Sequence, residues 1–468
     1  MAAQVSYSST RGQSPELSFD DVLLTGLAPD GGLYAPDHWP TLSKAELKSL
    51  AGQPYQVIAR AVISPFLDDT VSDAELGEMI DAAYGRFAHP AVAPVLQTGP
   101  ADFMMELHHG PTLAFKDVAM QLLGHLFAAR LKARGRQMTI VAATSGDTGG
   151  AAIDAMANRP GVNICVLHPN GRISEVQRRF MTTVEADNVL NIAVEGNFDD
   201  CQALVKAMFA DVDFRDAVSL GAVNSINWAR IVAQIVYYVS TSLTLSRDGE
   251  PVHFCVPTGN FGDIFAGFVA KQMGAPVGHL VVATNENDIL NRAMRQGAYK
   301  PDGVIATQSP SMDIQVSSNF ERLLYIACGR DAELVRELMG SLKEGGFVLP
   351  QNLRAAIAPD FSSYRASEEA TAAKIAQIWR ETGQLIDPHT AVGLVAADGA
   401  RANGLKGTLV TLSTAHAAKF PDAVESATGV RPDLPARCRD LYARDEVMTV
   451  LPNDYAAVTD YIRKAFEN

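Results

Sequence analysis

Four short stretches carry groups that could act together in one reaction. In Gly110-Pro-Thr-Leu-Ala-Phe-Lys-Asp117 a lysine sits inside an apolar run. Desolvation there would lower the Lys116 pKa and favour the free amine. A free amine can form a Schiff base with an aldehyde. Taken alone, a surface lysine paired with Asp117 is the simpler reading. In Thr144-Ser-Gly-Asp-Thr-Gly-Gly150, small residues let backbone N–H groups approach a ligand. The start of the following helix adds positive potential for an anion, and Thr144, Ser145 and Thr148 add hydroxyls. The competing reading is a tight strand-to-helix turn with Asp147 as its cap. Pro257-Thr-Gly-Asn-Phe-Gly-Asp263 is placed the same way. No Gly-Lys-Ser/Thr follows it, and Gly259 and Gly262 stand three apart with no third glycine in register. Neither a nucleoside-triphosphate loop nor a dinucleotide fingerprint is present, which leaves a compact phosphate nest. Last, Leu412-Ser-Thr-Ala-His416 sets hydroxyls at a strand end, either to bond a heteroaromatic nitrogen or simply to form a turn.

Each signal is modest, but together they supply an amine, two anion-binding loops and a neutral hydroxyl. Pyridoxal 5′-phosphate needs such a set: the amine for its aldehyde, one loop for its phosphate and a partner for its ring nitrogen.

The elements that must position these groups are readable as alternating strands and helices. Met138–Ala143, Val162–Leu167, Val252–Val256, Leu280–Ala283 and Thr408–Leu412 are apolar, β-rich runs, most of them followed by a loop and a helical pattern. This alternation implies α/β architecture with parallel sheets covered on both faces. In such folds ligands sit beyond the carboxyl ends of the strands, where the glycine loops fall. The first ~95 residues are mainly helical by their start signals. Ser43 with Glu46 and Ser72 with Glu75 form two capping boxes. Ser367 caps a later helix that Gly383 ends. Three prolines between His89 and Pro100 mark a boundary. The expected organisation is a helical region over 1–95 packed on the outside, a large cofactor-binding domain from 96–135 and 225–468, and a small mobile domain over 136–224.

Composition narrows the classes. The chain has 468 residues, 47% hydrophobic and 20% charged, which is ordinary for globular proteins. With 53 acidic and 39 basic side chains the net charge is −14, so a broad nucleic-acid surface is not expected. The stretch Ile231–Leu245 is broken by polar residues and reads as a buried helix, so no membrane partner is expected. Five dispersed cysteines without a CxxC pair read as free thiols in a reducing compartment, and the expected location is the cytoplasm. No metal site is expected, because His108 and His109 have no further ligands at suitable spacing.

The chain resembles the threonine synthase family of fold-type II pyridoxal-phosphate enzymes nearly end to end. The likeness runs through Tyr7-Ser-Ser-Thr-Arg-Gly12, Gly26–Tyr34, His109–Asp117, Thr144–Gly149, Asn224–Arg230, Pro257–Asp263, Ser311-Met-Asp-Ile314, Ser318–Arg322 and Ser413–His416. It is to the longer form of the family, with an N-terminal extension. Two local departures are His108, where Phe is expected, and Ala417, where Pro is expected. The resemblance implies that Lys116 is the Schiff-base lysine and main proton shuttle. It implies that Gly259, Asn260, Phe261 and Gly262 hold the cofactor phosphate and that Thr414, rather than Ser413, meets the pyridine nitrogen. Asp147 stands where related enzymes often carry an asparagine that touches the ring hydroxyl. Thr144, Ser145, Gly146 and Thr148 would take the substrate carboxylate, and the candidates for the substrate phosphate are Ser318, Asn319 and Arg322, or Arg230 near Asn224. The implied reaction converts the small-molecule substrate O-phospho-L-homoserine, with water, to L-threonine and phosphate, by γ-elimination and β-addition. The rivals are another fold-type II lyase, such as a serine/threonine dehydratase, and a silent relative that binds ligand without turnover.

Overall fold

The computed structural model describes residues 4–466 except 68 and 222. Two sheets organise it. The first has six strands in the order Phe361–Arg365, Val277–Thr284, Val252–Pro257, Leu409–Ser413, Asp102–Glu106 and Val95–Gln97. All its neighbours run parallel except the last pair. The second has five parallel strands in the order Thr449–Pro452, Val189–Glu195, Val162–Pro169, Met138–Ala143 and Leu220–Gly221.

The central strands are mostly apolar, interrupted by His253, His279 and Thr411, because both faces are covered. Phe254, Val256, Leu280, Val282, Val410 and Leu412 point into one core, shared with helices Trp228–Leu245 and Gly262–Gln272. Cys255, Val281, Ala283 and Leu409 point the other way, onto Val392 and Ala396 of helix Pro388–Ala402. The Ile231–Leu245 stretch lies inside the first of these cores, as its composition implied. Among the described residues, no helix is long and apolar enough to cross a membrane. Both N-terminal capping boxes form, and Gly383 ends helix Glu368–Thr382 in the left-handed conformation.

Two expectations change. The C-terminal strand Thr449–Pro452 pairs with Val189–Glu195, so the end of 225–468 completes the second sheet rather than the first. Val458 and Ile462 of the last helix bury against Ile192 and Val194 of that sheet, which supplies the driving force. The N-terminal region is also more than a cover on the outside, because its Tyr7, Phe19, Ile58 and Phe66 share the main hydrophobic core. Trp228 is fully buried among Tyr7, Phe66, Trp39 and Phe265, with ring centroids 6.0–6.5 Å apart. The Asn227 side-chain amide donates to the Leu23 carbonyl at 2.8 Å.

The N-terminal region also grips the helix that begins at Lys116. Asp20, 3% exposed, accepts from Arg130 at 2.5 Å and from Arg134 at 2.9 Å, both in the last turns of helix Lys116–Arg134. Removing one partner of a buried ion cluster strands the others. Asp20→Ala is expected to destabilise the protein by about 3 kcal/mol, the lower end of the range for buried pairs. Arg134 keeps Asp21, which limits the loss. The check is the midpoint of urea unfolding.

Candidate active site

Four carboxyl strand ends deliver the site. Strand Asp102–Glu106 leads into the segment before Lys116, and Leu409–Ser413 leads to Thr414. Main-chain bonds stitch these two segments together: Leu107 N–H donates to the Ser413 carbonyl at 2.9 Å, Phe115 to Thr414 at 2.8 Å, and His416 to Leu113 at 3.0 Å. Lys116 is therefore fixed beside Thr414 by backbone alone. It opens its helix, 8% exposed, and burial pushes its amine down to about 8, opposed by the nearby Asp147 and aided by Lys419 and Arg230. The simpler reading of this stretch, a pair between Lys116 and Asp117, does not form. Asp117 instead accepts from the Thr112 N–H at 2.8 Å and hydroxyl at 2.7 Å. Burial pushes Asp117 up to about 6.

Strand Val252–Pro257 delivers the second part. Phe261 adopts φ 63°, a left-handed turn that ends the loop and opens helix Gly262–Gln272. Its ring is buried against Phe320 and Phe361, so side-chain packing holds a backbone shape that sterics disfavour. A Cβ on Gly259 would sit 2.9 Å from the Ser311 carbonyl oxygen and 3.0 Å from Ile314. The segment after Ile314 braces the same loop. Ser317 donates to the Gly259 carbonyl at 2.6 Å, and the Asn319 side chain to the Asn260 carbonyl at 3.0 Å. Ser318 donates to the Asn260 side chain at 3.3 Å.

Strand Met138–Ala143 of the second sheet delivers the third part. The Thr144 hydroxyl accepts from the N–H groups of Gly146 and Gly149 at 3.0 and 2.9 Å, which closes the loop on itself. Gly146, at φ 136°, caps the ten-residue helix Asp147–Met156. Ser145 and Thr148 are half-buried, and no side-chain hydrogen bond engages them among the described residues. Asp147 leaves this loop for the centre of the site. Its carboxylate meets Lys419 at 2.8 Å, Gln177 at 3.0 Å, Ser311 at 3.3 Å and Lys116 at 3.6 Å. Burial alone would raise its pKa, but the charges of Lys419 and Lys116 hold it well below the usual carboxylate range.

One predicted ligand is placed otherwise. Arg322 is fully buried, and its guanidinium donates to the Tyr34 carbonyl at 2.9 Å, the Ile226 carbonyl at 2.7 Å and the Asn319 side chain. It also lies 5.3 Å from the centre of the Trp228 ring. A guanidinium engaged this fully with the protein interior is a brace, and it meets the Gly259–Gly262 loop through Asn319. Arg230 is the contrasting case. It is 4% exposed with its Nε unpartnered, and burial pushes it down to about 10. The sequence reading gave no role to Lys419, Ser311, Gln177 or His389. Lys419 in Ala417-Ala-Lys-Phe420 carries the signal that singled out Lys116, a lysine in an apolar run, and it is 1% exposed.

His108, the departure from the expected Phe, stacks on His109 at 5.1 Å and meets His416 edge-on at 5.4 Å. Burial pushes it down to about 4, so near neutral pH it packs as an uncharged ring. Among the described residues no group of three or more His, Cys, Asp or Glu side chains is arranged to hold a metal ion.

The donor set suits pyridoxal phosphate on three observations. A buried amine lies near neutrality, a loop too tight for a Cβ opens a helix, and an unpartnered buried guanidinium nitrogen stands close by. Fold and site thus define a fold-type II pyridoxal-phosphate enzyme. The comparisons agree. The family model for pyridoxal-phosphate-dependent enzymes matches residues 98–414, and those for the threonine synthase N terminus and C-terminal region match 6–84 and 390–462. Threonine synthase of Pseudomonas aeruginosa is 51% identical, with 97% of each chain covered. The crystal structure of pyridoxal-phosphate-bound threonine synthase from Brucella melitensis superposes with a TM-score of 0.96 at 51% identity, covering 99% of this chain and all of that one. The yeast threonine synthase structure gives 0.94 at 39% identity, with 99% of each chain covered. The chain belongs to the threonine synthase family.

Two outcomes follow from the geometry. Gly259→Ala must displace main chain at Ser311, so the affinity for pyridoxal phosphate should fall at least about tenfold in a fluorescence titration. Arg322→Ala should lower the unfolding free energy by about 3 kcal/mol, read as a lower urea midpoint, because carbonyls lose their donors and a cavity opens. A substrate-phosphate ligand would instead raise KM with the midpoint unchanged.

Proposed function

We propose that this chain converts O-phospho-L-homoserine and water to L-threonine and phosphate, the last step of threonine synthesis, with the residues above in the following roles. The observation that carries the reading is the convergence of Lys116, the Gly259–Gly262 loop and Thr414 at neighbouring strand ends. Family membership over both full chains supports the choice of reaction. Pyridoxal phosphate, when bound, supplies an aldehyde for an amine and a conjugated ring that spreads negative charge from the substrate α-carbon.

The protein groups do the rest. Lys116 would hold the cofactor through its amine and, as a free amine, would move protons at the substrate α- and β-carbons. With its pKa near 8, about a tenth of its population is free amine at pH 7, against about one in three thousand for an ordinary lysine. Gly259, Asn260, Phe261 and Gly262 hold the cofactor phosphate at a helix N-terminus. Thr414, whose hydroxyl no side chain engages among the described residues, is the pyridine-nitrogen partner; Ser413 is already bonded to Thr390 at 3.1 Å. Thr144, Ser145, Gly146 and Thr148 take the substrate carboxylate, and their domain, residues 136–224 with the C-terminal strand added, moves to close the site and exclude water. Ser318 and Asn319 lie on the phosphate side, with Arg230 the better-placed guanidinium. The free thiols fit a cytoplasmic location.

Borohydride reduction of the cofactor-loaded protein followed by peptide mass mapping should find the pyridoxyl group on Lys116. The protein should release inorganic phosphate from O-phospho-L-homoserine and far less ammonia from threonine. Lys116→Ala should lower phosphate release by at least about 10³-fold. An adduct on another lysine, or ammonia release as the dominant activity, would overturn the assignment.

A further inference from the structure

Lys116 and Asp147 are opposite charges in the protein interior, yet their nearest atoms stay 3.6 Å apart. A buried pair of this kind would ordinarily close to charge-assisted hydrogen-bond length, about 2.8 Å. Ser311 lies between them. The Lys116 amine donates to the Ser311 hydroxyl oxygen at 3.2 Å, and that hydroxyl donates to Asp147 at 3.3 Å.

Ser311 is itself held in place. Its N–H donates to His389 Nε2 at 3.2 Å. The His389 ring is fixed through Nδ1, 3.0 Å from Asp387, and Asp387 is fully buried and accepts from the Thr390 hydroxyl at 2.5 Å. The short turn Pro310–Met312 carries the serine. Its carbonyl lies where a side chain on Gly259 would have to go. One residue therefore touches the lysine, the central carboxylate and the phosphate loop.

We propose that Ser311 is a positioning residue for Lys116: its hydroxyl accepts from the amine, donates to Asp147, and keeps the two charges from closing into a direct ion pair. The proposal rests on the role given to Lys116 above. A closed pair would hold the lysine as an immobile ammonium, whereas the reaction needs a free and movable amine.

The charged surroundings give the sign. Lys116 faces Asp147 from the second sheet, Lys419 from the turn after His416, and Arg230 from helix Trp228–Leu245; the Phe115 ring lies 5.6 Å away. Asp147 faces Lys419, Lys116, His389 and the Gln177 amide. Burial, Lys419 and Arg230 all disfavour the Lys116 ammonium, and Asp147 alone among these groups favours it. Removing the spacer strengthens that one opposing interaction, so the amine becomes harder to deprotonate.

The test is competitive acetylation of the full-length, cofactor-free chain with trace acetic anhydride across pH 6–11, read at Lys116 by peptide mass mapping. In the wild type, half-maximal labelling is expected near pH 8. Ser311→Ala should move it up by about one pH unit. Ser311→Thr, which keeps the hydroxyl, should leave it within a few tenths of the wild-type value. Ser311→Cys is nearly isosteric and a weak hydrogen-bonding group; it should move the same way as alanine, and it decides the matter should the alanine variant not fold. A half-point that stays put or falls in Ser311→Ala, or that rises as far in Ser311→Thr, overturns the proposal. The readout does not depend on turnover. A failure here with the borohydride adduct on Lys116 intact removes Ser311 alone, whereas an adduct elsewhere removes the role of Lys116.

Discussion

A carboxylate buried between two buried ammonium groups is the constraint on which the site depends. Asp147 comes from the second sheet, while Lys116 and Lys419 come from segments that follow strands of the first. Burying each ion costs several kcal/mol unless the partners are in place. The cluster is therefore most stable when both sheets present their groups, and it ties the two halves together in this arrangement. Around Asp147 itself the balance is positive: Lys419 and Lys116 both face it, and Arg230 lies near Lys116. That surplus, in a desolvated pocket beside a helix N-terminus, is the electrostatic setting a phosphate requires.

The N-terminal region enters this arrangement through the backbone. The Tyr34 carbonyl accepts from Arg322, Arg322 donates to the Asn319 side chain, and Asn319 donates to the Asn260 carbonyl. This relay ties the strand Tyr34–Pro36 to the Gly259–Gly262 loop. Arg11 adds a parallel tie, a two-bond contact with Glu321 at 3.0 Å for each bond. The extension that precedes the cofactor core thus sets the loop's height against the sheet.

What could be read from the sequence was what is local. The strand–loop–helix units at Thr144 and Pro257 stand on neighbouring residues, and both form. Lys116 could be picked out because its apolar context, Leu113-Ala-Phe115, immediately precedes it in the chain. Lys419 has the same context, but its partner Asp147 is far away in the chain, so its role emerges only when the sheets meet. Arg322 is the opposite case: its chain neighbours do not reveal that the Tyr34 and Ile226 carbonyls take its donors, a placement that only tertiary packing brings about. The strand Thr449–Pro452 escaped notice because its pattern, half-exposed and four residues long, gives no hint of which sheet it joins.

The two adjacent hydroxyls at the end of strand Leu409–Ser413 show how the fold separates chemically similar neighbours. Ser413 points to Thr390, which is itself bonded to the buried Asp387, so its hydroxyl is committed to the framework. Thr414 keeps its side chain unengaged while its carbonyl is pinned by the Phe115 N–H, one residue from Lys116. A hydroxyl held this way is neutral and cannot supply a proton as a carboxylic acid would. On the proposed roles, proton movement falls to Lys116, whose burial places its titration close to neutral pH. The neutral hydroxyl assigned to the ring nitrogen and the buried amine at the other end of the site then divide the work: one bonds without donating a full proton, and the other can take and return one.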